Sequence, residues 1–303
     1  MLSFNIIKDY KVVEKKIIFQ LDYEWSLKII FFEDNIIKIS FKPNKEKNLE
    51  SITMLSGKKI KSKNFTIINR GKVYSIETTN LKINLYQNPL CLKFYKKIKS
   101  KWILIKQDRP TGAWYWNQEE NKTSHYQLRN NDQSIYGLGE KSGSIDRSFR
   151  RFVMSQKDTL GYNAEKSDPL YKSFPWIYVV DTKNREKDYG ILYDQLSQSI
   201  IDLGSEHSNY HEPYRYYETQ KKGIDFIIIL KNSKKTIVST LNDLIGNRYL
   251  PPKWSLGFQF SSMEIADHKN SRSLYLDFLN KCKKYNIPLS ALHFSSGYSL
   301  HNN

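Results

Sequence analysis

The sequence predicts a mainly β protein with an α/β piece at its C-terminal end. Through the first third of the 303 residues, short runs of alternating apolar residues are separated by turn signals every ~8–12 residues, which is typical of a β-sandwich. From about residue 233 onward, apolar residues recur at helical spacing and strand-like runs stand beside them. This second pattern predicts a strand–helix–strand arrangement.

The predicted strands of the sandwich each place apolar side chains on one face. In chain order, these faces consist of Ile17, Phe19 and Leu21; Leu27, Ile29 and Phe31; Ile37, Ile39 and Phe41; Leu81, Ile83 and Leu85; Leu90, Leu92 and Phe94; and Trp102 and Leu104. Two further runs, Phe65–Ile68 and Val73–Thr78, flank Asn69-Arg70-Gly71. A glycine there suits a hairpin turn because it adopts positive φ without a steric penalty.

The helical part begins after Ser233, a residue type that caps helix N-termini. Ile237, Leu241, Leu244 and Ile245 share one face of this helix, and Gly246 ends it. A second helix is predicted over about 270–286, between strands at Ser255–Ser261 and Leu289–Phe294. A parallel sheet or barrel begins with such a unit. We therefore expect two domains, 1–249 and 250–303.

The composition narrows the class of partner and the compartment. The net charge is +17, but it comes from 38 Lys against 10 Arg spread along the chain, so we expect no nucleic-acid partner. No signal peptide or membrane span is apparent, and Cys91 and Cys282 are too few for a disulfide framework. These features predict a cytoplasmic protein with free, buried thiols.

Four segments carry a resemblance to a known family. They occur in order as Tyr136-Gly137-Leu138-Gly139-Glu140-Lys141, then Asp158-Thr159-Leu160-Gly161-Tyr162-Asn163 running into Ser167–Pro175, then Tyr189-Gly190-Ile191-Leu192, then Leu250-Pro251-Pro252-Lys253-Trp254-Ser255-Leu256-Gly257. Together they resemble glycoside hydrolase family 31, the family of α-glucosidases and α-xylosidases. The resemblance implies a galactose-mutarotase-like β-sandwich followed by a (β/α)8 TIM barrel.

The resemblance also implies a substrate loop at about 154–175 that reaches from the sandwich over the barrel mouth. Asp158 matches the acidic residue with which this loop contacts sugar hydroxyls, and a carboxylate accepts such hydrogen bonds with charge assistance. The alternative is a turn-forming Asp ahead of Gly161. Asp168, before Pro169, is expected to form a structural turn, and Tyr171 and Lys172 to anchor the loop.

Glu140 and the pair His207 and His211 could also have functional roles, but the sequence favours a structural role for each. Glu140 stands in a Gly-rich segment, where we expect its carboxylate to cap backbone donors rather than act as a general acid. His207 and His211 have the spacing of a helical metal site, but Gly204 and Pro213 indicate a loop. We expect no metal and no cofactor.

The resemblance weakens at the second barrel strand. Many family members carry two acidic residues there, one of which binds the sugar of the glycone subsite. Here the run is His293-Phe294-Ser295-Ser296-Gly297-Tyr298, which is similar to one bacterial branch of the family. His293 and Tyr298 are therefore expected to contact substrate, with a specificity other than glucose left open.

No catalytic residue is assigned within the chain. Family members retain configuration and need two carboxylates about 5–5.5 Å apart, which the resemblance places on later barrel strands. Only 53 residues follow Leu250, whereas a whole barrel needs about 250. We expect a fragment of a retaining α-glycosidase that binds an α-linked oligosaccharide or glycoside but is inactive alone. A separate chain carrying the C-terminal half is a partner that this interpretation leaves open.

The alternative is a stand-alone, non-enzymatic carbohydrate-binding or scaffold module. Trp114-Tyr115-Trp116 is the cluster that would stack on sugars in that case. Core packing is the competing role for these rings, and the sequence favours it. The strand–helix–strand end of the chain favours the glycosidase interpretation, because its strands would leave uncovered edges in a finished module.

Overall fold

Two compact units, Met1–Gly246 and Asn247–Asn303, make up the chain. The computed structural model describes residues 1–13, 16–46, 65–246 and 249–295. The first unit is built almost entirely of antiparallel strands, and the second contains a parallel pair of strands with helices between them. None of the helices in the described ranges has the length and hydrophobicity that crossing a membrane requires.

The strands of the first unit all pair antiparallel with their neighbours. In chain order they are β1 (Leu2–Ser3), β2 (Ile7–Val13), β3 (Lys16–Leu21), β4 (Trp25–Glu33), β5 (Ile36–Pro43), β6 (Thr66–Asn69), β7 (Val73–Glu77), β8 (Leu81–Tyr86), β9 (Cys91–Ile98), β10 (Lys101–Gln107), β11 (Trp114–Asn117), β12 (Lys122–Leu128), β13 (Gln133–Gly139), β14 (Arg151–Met154), β15 (Ser173–Asp181), β16 (Tyr189–Tyr193), β17 (Ser199–Asp202), β18 (Tyr214–Thr219) and β19 (Ile224–Ile229).

These strands form three sheets. An eight-stranded sheet has the order β13-β15-β16-β19-β5-β4-β3-β2, a six-stranded sheet the order β1-β11-β12-β18-β17-β14, and a five-stranded sheet the order β10-β9-β8-β7-β6. One apolar cluster contains residues from all three sheets. The eight-stranded sheet therefore packs one face against the other two sheets, as in a sandwich.

The inner face of the sandwich consists of the side chains that alternate in the sequence. Strand β3 buries every second residue, and β8 does the same. The following predicted residues are at most 1% exposed: Ile17, Phe19, Leu21, Leu27, Ile29, Phe31, Ile37, Ile39, Phe41, Leu81, Ile83, Leu85, Leu90, Leu92 and Phe94. The prediction of a mainly β, half-buried sheet structure is confirmed for these strands.

Helix α1 (Lys234–Ile245) covers the outer face of the eight-stranded sheet. Ser233 caps it by accepting a hydrogen bond from the Thr236 amide, and Gly246 ends it with φ of 79°. Ile237 and Leu241 join a second apolar cluster with residues of β15, β16 and β19. The predicted first helix is confirmed at both ends, and the central strands beneath it are buried on both faces.

The second unit contains β20 (Phe258–Ser261), α2 (Met263–Ala266), α3 (Ser271–Lys284) and β21 (Leu289–His293). Strands β20 and β21 are parallel neighbours, and α3 connects them. Phe278 of α3 stacks on Phe260 of β20, with ring centroids 3.9 Å apart. The described part of this unit is one strand–helix–strand segment.

One predicted strand begins later in the chain than expected. Lys253–Leu256 form a short 3-10 turn, so the strand predicted over Ser255–Ser261 begins only at Phe258. The Ser255 hydroxyl donates to the Pro252 carbonyl at 2.8 Å, which closes the turn. That strand is also less buried than expected, since Phe258 is 47% exposed.

The cluster Trp114-Tyr115-Trp116 forms β11 and mostly faces the core. Trp114 and Trp116 are 1% and 4% exposed, so two of the three rings are unavailable for stacking on a sugar. Core packing, the role that the sequence favoured, is confirmed for both. Cys91 and Cys282 are buried free thiols, as expected.

A buried polar network joins the sheets at the end of β10. The Asp108 carboxylate accepts hydrogen bonds from Lys106 Nζ at 3.2 Å and His125 Nε2 at 2.8 Å through Oδ1. Its other oxygen accepts from Trp114 Nε1 at 2.9 Å and the Leu92 amide at 3.0 Å. The Asp108, Lys106 and His125 side chains are fully buried.

The protonation states in this network follow from its geometry. Burial opposes ionisation of Asp108, but His125 and Lys106 together hold the pKa of that carboxyl below its usual value. Burial lowers the pKa of His125 although Asp108 opposes the shift. A neutral His125 donates from Nε2 to Asp108, and its Nδ1 accepts from Gln127 Nε2 at 3.3 Å.

Replacing Asp108 by Asn should lower the free energy of unfolding by about 3–5 kcal/mol, because Lys106 would stay buried without its charge partner. Urea unfolding followed by tryptophan fluorescence measures this change. The double variant Asp108→Asn/Lys106→Met should recover part of the loss, since it removes the orphaned charge. An Asp108→Asn protein as stable as the parent chain would contradict the assignment.

Candidate substrate loop

The loop that the sequence singled out connects β14 to β15 and spans residues 155–172. Its side chains at the tip point away from the core: Leu160 is 86% exposed and Tyr162 is 52% exposed. Asp158 is also exposed. The 155–172 loop therefore presents the Asp158 carboxylate together with exposed apolar and aromatic side chains.

Asp158 has a partner within the loop. Interaction with the Asp158 carboxylate raises the pKa of the exposed Tyr171 hydroxyl, so the two side chains are near neighbours. The two ends of the loop are joined next to this pair by the Lys157 amide, which donates to the Leu170 carbonyl at 3.2 Å. Asp158 itself is exposed to solvent.

The base of the 155–172 loop is fixed by a buried ion pair. Lys141 Nζ donates to Asp168 Oδ1 at 2.7 Å and to the Val153 carbonyl at 2.7 Å. The second Asp168 oxygen accepts from the Val153 amide at 2.5 Å. The Lys141 side chain is fully buried, so burial lowers its pKa while Asp168 opposes the shift. This clamp connects the loop to both β14 and the segment after β13.

A second set of bonds holds the outer turn of the loop against residues 141–150. The Gly143 amide donates to the Ala164 carbonyl at 2.7 Å, and the Ser142 hydroxyl donates to the Ser167 carbonyl at 2.7 Å. Arg150 Nη1 in turn donates to the Ser142 carbonyl at 2.8 Å. The 155–172 loop is therefore attached along its length rather than only at its ends.

Two glycines in the segments that resemble family 31 are required by local packing. Gly137 lies at a bulge between β13 and β15 with φ of 118°, and a Cβ on it would lie 2.3 Å from the Trp176 carbonyl oxygen. Gly190 leaves room for the Trp176 ring, which would lie 1.9 Å from an added Cβ. A side chain at either position would collide with Trp176, so both glycines serve the packing of the sandwich.

Glu140 does not have the role that the sequence suggested. Its carboxylate is exposed and pairs with Lys172 Nζ at 3.5 Å, where the two side chains are 45% and 81% exposed. The Glu140 carboxylate therefore takes part in an exposed ion pair. The segment 204–213 around His207 and His211 is irregular, and His211 Nδ1 shares a hydrogen bond with Thr111 Oγ1 at 2.8 Å.

The three expected substrate-binding residues lie in different parts of the chain. Asp158 belongs to the first unit, and His293 ends β21 in the second. His293 Nε2 shares a hydrogen bond with Gln259 Oε1 at 2.7 Å, and both side chains are exposed. Tyr298 lies outside the described residues.

The loop and its clamp fall within a recognised domain family. A family model described as the glycosyl hydrolase 31 N-terminal galactose mutarotase-like domain matches residues 26–202, more than half of the chain. The chain belongs to glycoside hydrolase family 31. The match includes the 155–172 loop, Lys141 and Asp168.

Relatives of family 31 match most of this chain but only part of their own length. Alpha-glucosidase 2 of Bacillus thermoamyloliquefaciens is 21% identical over 272 residues, which is 90% of this chain and 33% of that protein. Alpha-xylosidase XylQ of Lactiplantibacillus pentosus is 25% identical over 229 residues, covering 74% of this chain and 27% of that protein. The chain thus spans about a third of the length of these relatives.

A solved family 31 structure shares the fold. The GH31 dextranase of Flavobacterium johnsoniae in complex with glucose superposes with a TM-score of 0.81 at 24% identity, covering 95% of this chain and 33% of that one. A mutant of the same enzyme was solved with isomaltotriose. At this identity the likeness establishes the fold.

The clamp is the part of the site that reasoning from sequence missed. Asp168 was expected to form a turn and Lys141 carried no role, since the two are 27 positions apart. Tyr171, which was expected to anchor the loop, is a near neighbour of Asp158. The sequence did offer one signal for the clamp: Lys141 lies in one of the segments that resemble family 31, and Asp168 lies in the next.

Replacing Lys141 by Met should loosen the 155–172 loop selectively. Loss of the clamp should cost about 2 kcal/mol locally and speed amide exchange in the loop about thirtyfold, while amides of α1 change little. Hydrogen exchange with residue resolution measures both regions.

The matched control is Lys172→Met, which removes an exposed ion pair of the same loop and should leave exchange nearly unchanged. Equal acceleration in the two variants, or in the loop and α1 alike, would show that the buried pair does not hold the loop in particular.

Proposed function

We propose that the chain provides the sandwich and the substrate loop of a retaining α-glycosidase that hydrolyses O-glycosyl bonds of α-linked glycosides. The observation that carries this proposal is the exposed Asp158–Tyr171 pair on a loop that a buried ion pair anchors. Relatives called alpha-glucosidase and alpha-xylosidase support the α-linkage. In this role the 155–172 loop binds and orients a sugar and carries out no bond cleavage.

Asp158 is the proposed sugar contact of the sandwich. An exposed carboxylate next to Tyr171 has lone pairs for two sugar hydroxyls. Tyr162 and Leu160, both more than half exposed, offer apolar surface to the C–H face of the same ring. An α-linked oligosaccharide is therefore the ligand that this loop fits.

The C-terminal unit is proposed to be the first βαβ segment of the TIM barrel. The parallel pairing of β20 with β21 across α3 supports this assignment, and the domain division is proposed at 249/250. His293 lies at the C-terminal end of β21, the end at which barrel enzymes carry their substrate-binding residues. We propose His293 and, five positions on, Tyr298 as further substrate contacts.

Binding of a trisaccharide should depend on Asp158. In titrations of the isotopically labelled chain with isomaltotriose or maltotriose, amide signals of the 155–172 loop should shift, and Asp158→Asn should weaken binding about tenfold, because a charge-assisted hydrogen bond is lost. Glu165→Gln is the matched control: it removes another exposed carboxylate of the same loop. Equal weakening by both variants, or none by Asp158→Asn, would refute the assigned contact.

The purified 303-residue chain should not hydrolyse p-nitrophenyl α-glucoside. We assign it binding and orientation but neither the nucleophile nor the general acid/base, which the family resemblance places on later barrel strands. Release of p-nitrophenol is measured against a buffer blank and against the Asp158→Asn variant. Turnover well above the blank would overturn this part of the proposal.

A further inference from the structure

The outer face of the five-stranded sheet carries aromatic rings and lysines in alternation. We call this surface the aromatic–lysine face. It consists of Tyr86, Tyr95, Trp102, Lys82, Lys93 and Lys97. The opposite face of the same strands buries the sandwich core. The three rings lie on the side away from that core and are only half-buried, so the core does not require them.

Strand register brings these side chains together. Lys82 of β8 lies opposite Tyr95 of β9, and Lys97 of β9 lies opposite Trp102 of β10. Burial and the neighbouring Tyr86 hydroxyl raise the pKa of Tyr95, so the rings of Tyr86 and Tyr95 lie on the same part of this face. The rings therefore form an oblique strip across three neighbouring strands rather than three separate side chains.

The lysines are placed against the rings. Lys82 Nζ lies 5.7 Å from the Tyr95 ring centroid and 5.6 Å from that of Trp102, and Lys97 Nζ lies 5.6 Å from the Trp102 centroid. Lys93 Nζ lies 5.1 Å from the Tyr86 centroid. These cation–π contacts hold the ammonium groups at the level of the rings, where a ligand lying on the strip would meet both.

The aromatic–lysine face carries an excess of positive charge. The described residues of the five strands include one acidic residue, Glu77, whose carboxylate lies 3.5 Å from Lys82 Nζ. Lys93 and Lys97 add positive charge beyond that pair. A surface with flat apolar rings and excess positive charge complements a polymer that has both apolar ring faces and negative groups.

We propose that the aromatic–lysine face binds an anionic polysaccharide, one whose pyranose rings carry carboxylate, sulfate or phosphate groups. The C–H faces of the sugars lie on Tyr86, Tyr95 and Trp102, and the anionic groups pair with Lys93 and Lys97. Asn84, between the rings on β8, offers an amide to sugar hydroxyls; its Nδ2 donates to the Tyr86 hydroxyl at 3.5 Å. Such a site holds a polymer on the sandwich and is independent of Asp158 and its loop.

The experiment measures binding of polygalacturonate to the 303-residue chain by calorimetry and by retardation in native gels. Binding should weaken when NaCl rises from about 0.02 M to about 0.3 M, because exposed charges are screened. Neutral dextran should bind more weakly than polygalacturonate. Lys93→Gln/Lys97→Gln should reduce affinity about fivefold, and Trp102→Ala about tenfold.

Two matched controls distinguish binding at the aromatic–lysine face from nonspecific attraction to a positively charged protein. Lys8→Gln/Lys11→Gln removes the same charge from exposed positions of β2, and Tyr210→Ala removes a ring that is 90% exposed elsewhere. Both should leave affinity within twofold of the parent chain. Circular dichroism and thermal unfolding check that every variant is folded.

Three results would overturn the proposal. Absence of binding to polygalacturonate at low salt is the first. Equal loss of affinity in the Lys8/Lys11 and Lys93/Lys97 variants is the second, because it would reflect net charge alone. The third is tighter binding of polyuridylate than of polygalacturonate to the same residues, which would make this a face for single-stranded nucleic acid.

Discussion

The sandwich depends on one buried carboxylate that carries four hydrogen bonds. Asp108 receives donors from β9, β10, β11 and β12, so a single side chain ties the five-stranded sheet to the six-stranded one. An isolated bridge between Asp108 and Gln127 adds a backbone connection at the same place. Charge is tolerated in the core here because each Asp108 oxygen is satisfied and Lys106 balances it.

A second buried and paired charge lies at the base of the 155–172 loop. Lys141 and Asp168 form a second pair in which a fully buried ammonium group meets a carboxylate that also binds backbone. The two pairs have different consequences. Asp108 holds sheets to one another, whereas the Lys141–Asp168 clamp holds an irregular 155–172 segment in one conformation. A loop that is already held in one conformation loses less entropy when a ligand binds to it than a mobile loop does.

Part of the fold could be predicted because some of its strands follow the simplest rule. In β3 and β8 every second side chain is buried, so the alternation of residues such as Ile17 and Phe19 is visible in the chain. The rule fails for β16 and β19, which α1 covers on one side and the sandwich core on the other. Their continuous burial leaves no period of two, and the strands from β11 to β19 were not predicted individually.

The sequence allowed single residues of the candidate site to be singled out, but not the pairs that they form. Asp158 was found through its setting in a resembling segment, but its partner Tyr171 is 13 positions away and the clamp unites Lys141 with Asp168 over 27. Such pairs are set by how the sheet that contains β13 and β15 packs near the sheet that contains β14, not by local spacing. The aromatic–lysine face was invisible for the same reason, because its rings come from three strands whose register the chain does not display.

The sequence alone determined the class of the fold, the caps of α1 at Ser233 and Gly246, and the family, because these follow from local periodicity, end chemistry and motif order. Tertiary structure decided which polar groups are buried together. Lys106, Asp108 and His125 look like ordinary strand residues in the chain, yet they form the network on which the sandwich depends. The physical reason is that desolvation and pairing are properties of three-dimensional surroundings: the same carboxylate is a solvated charge or a structural anchor according to which strands meet around it.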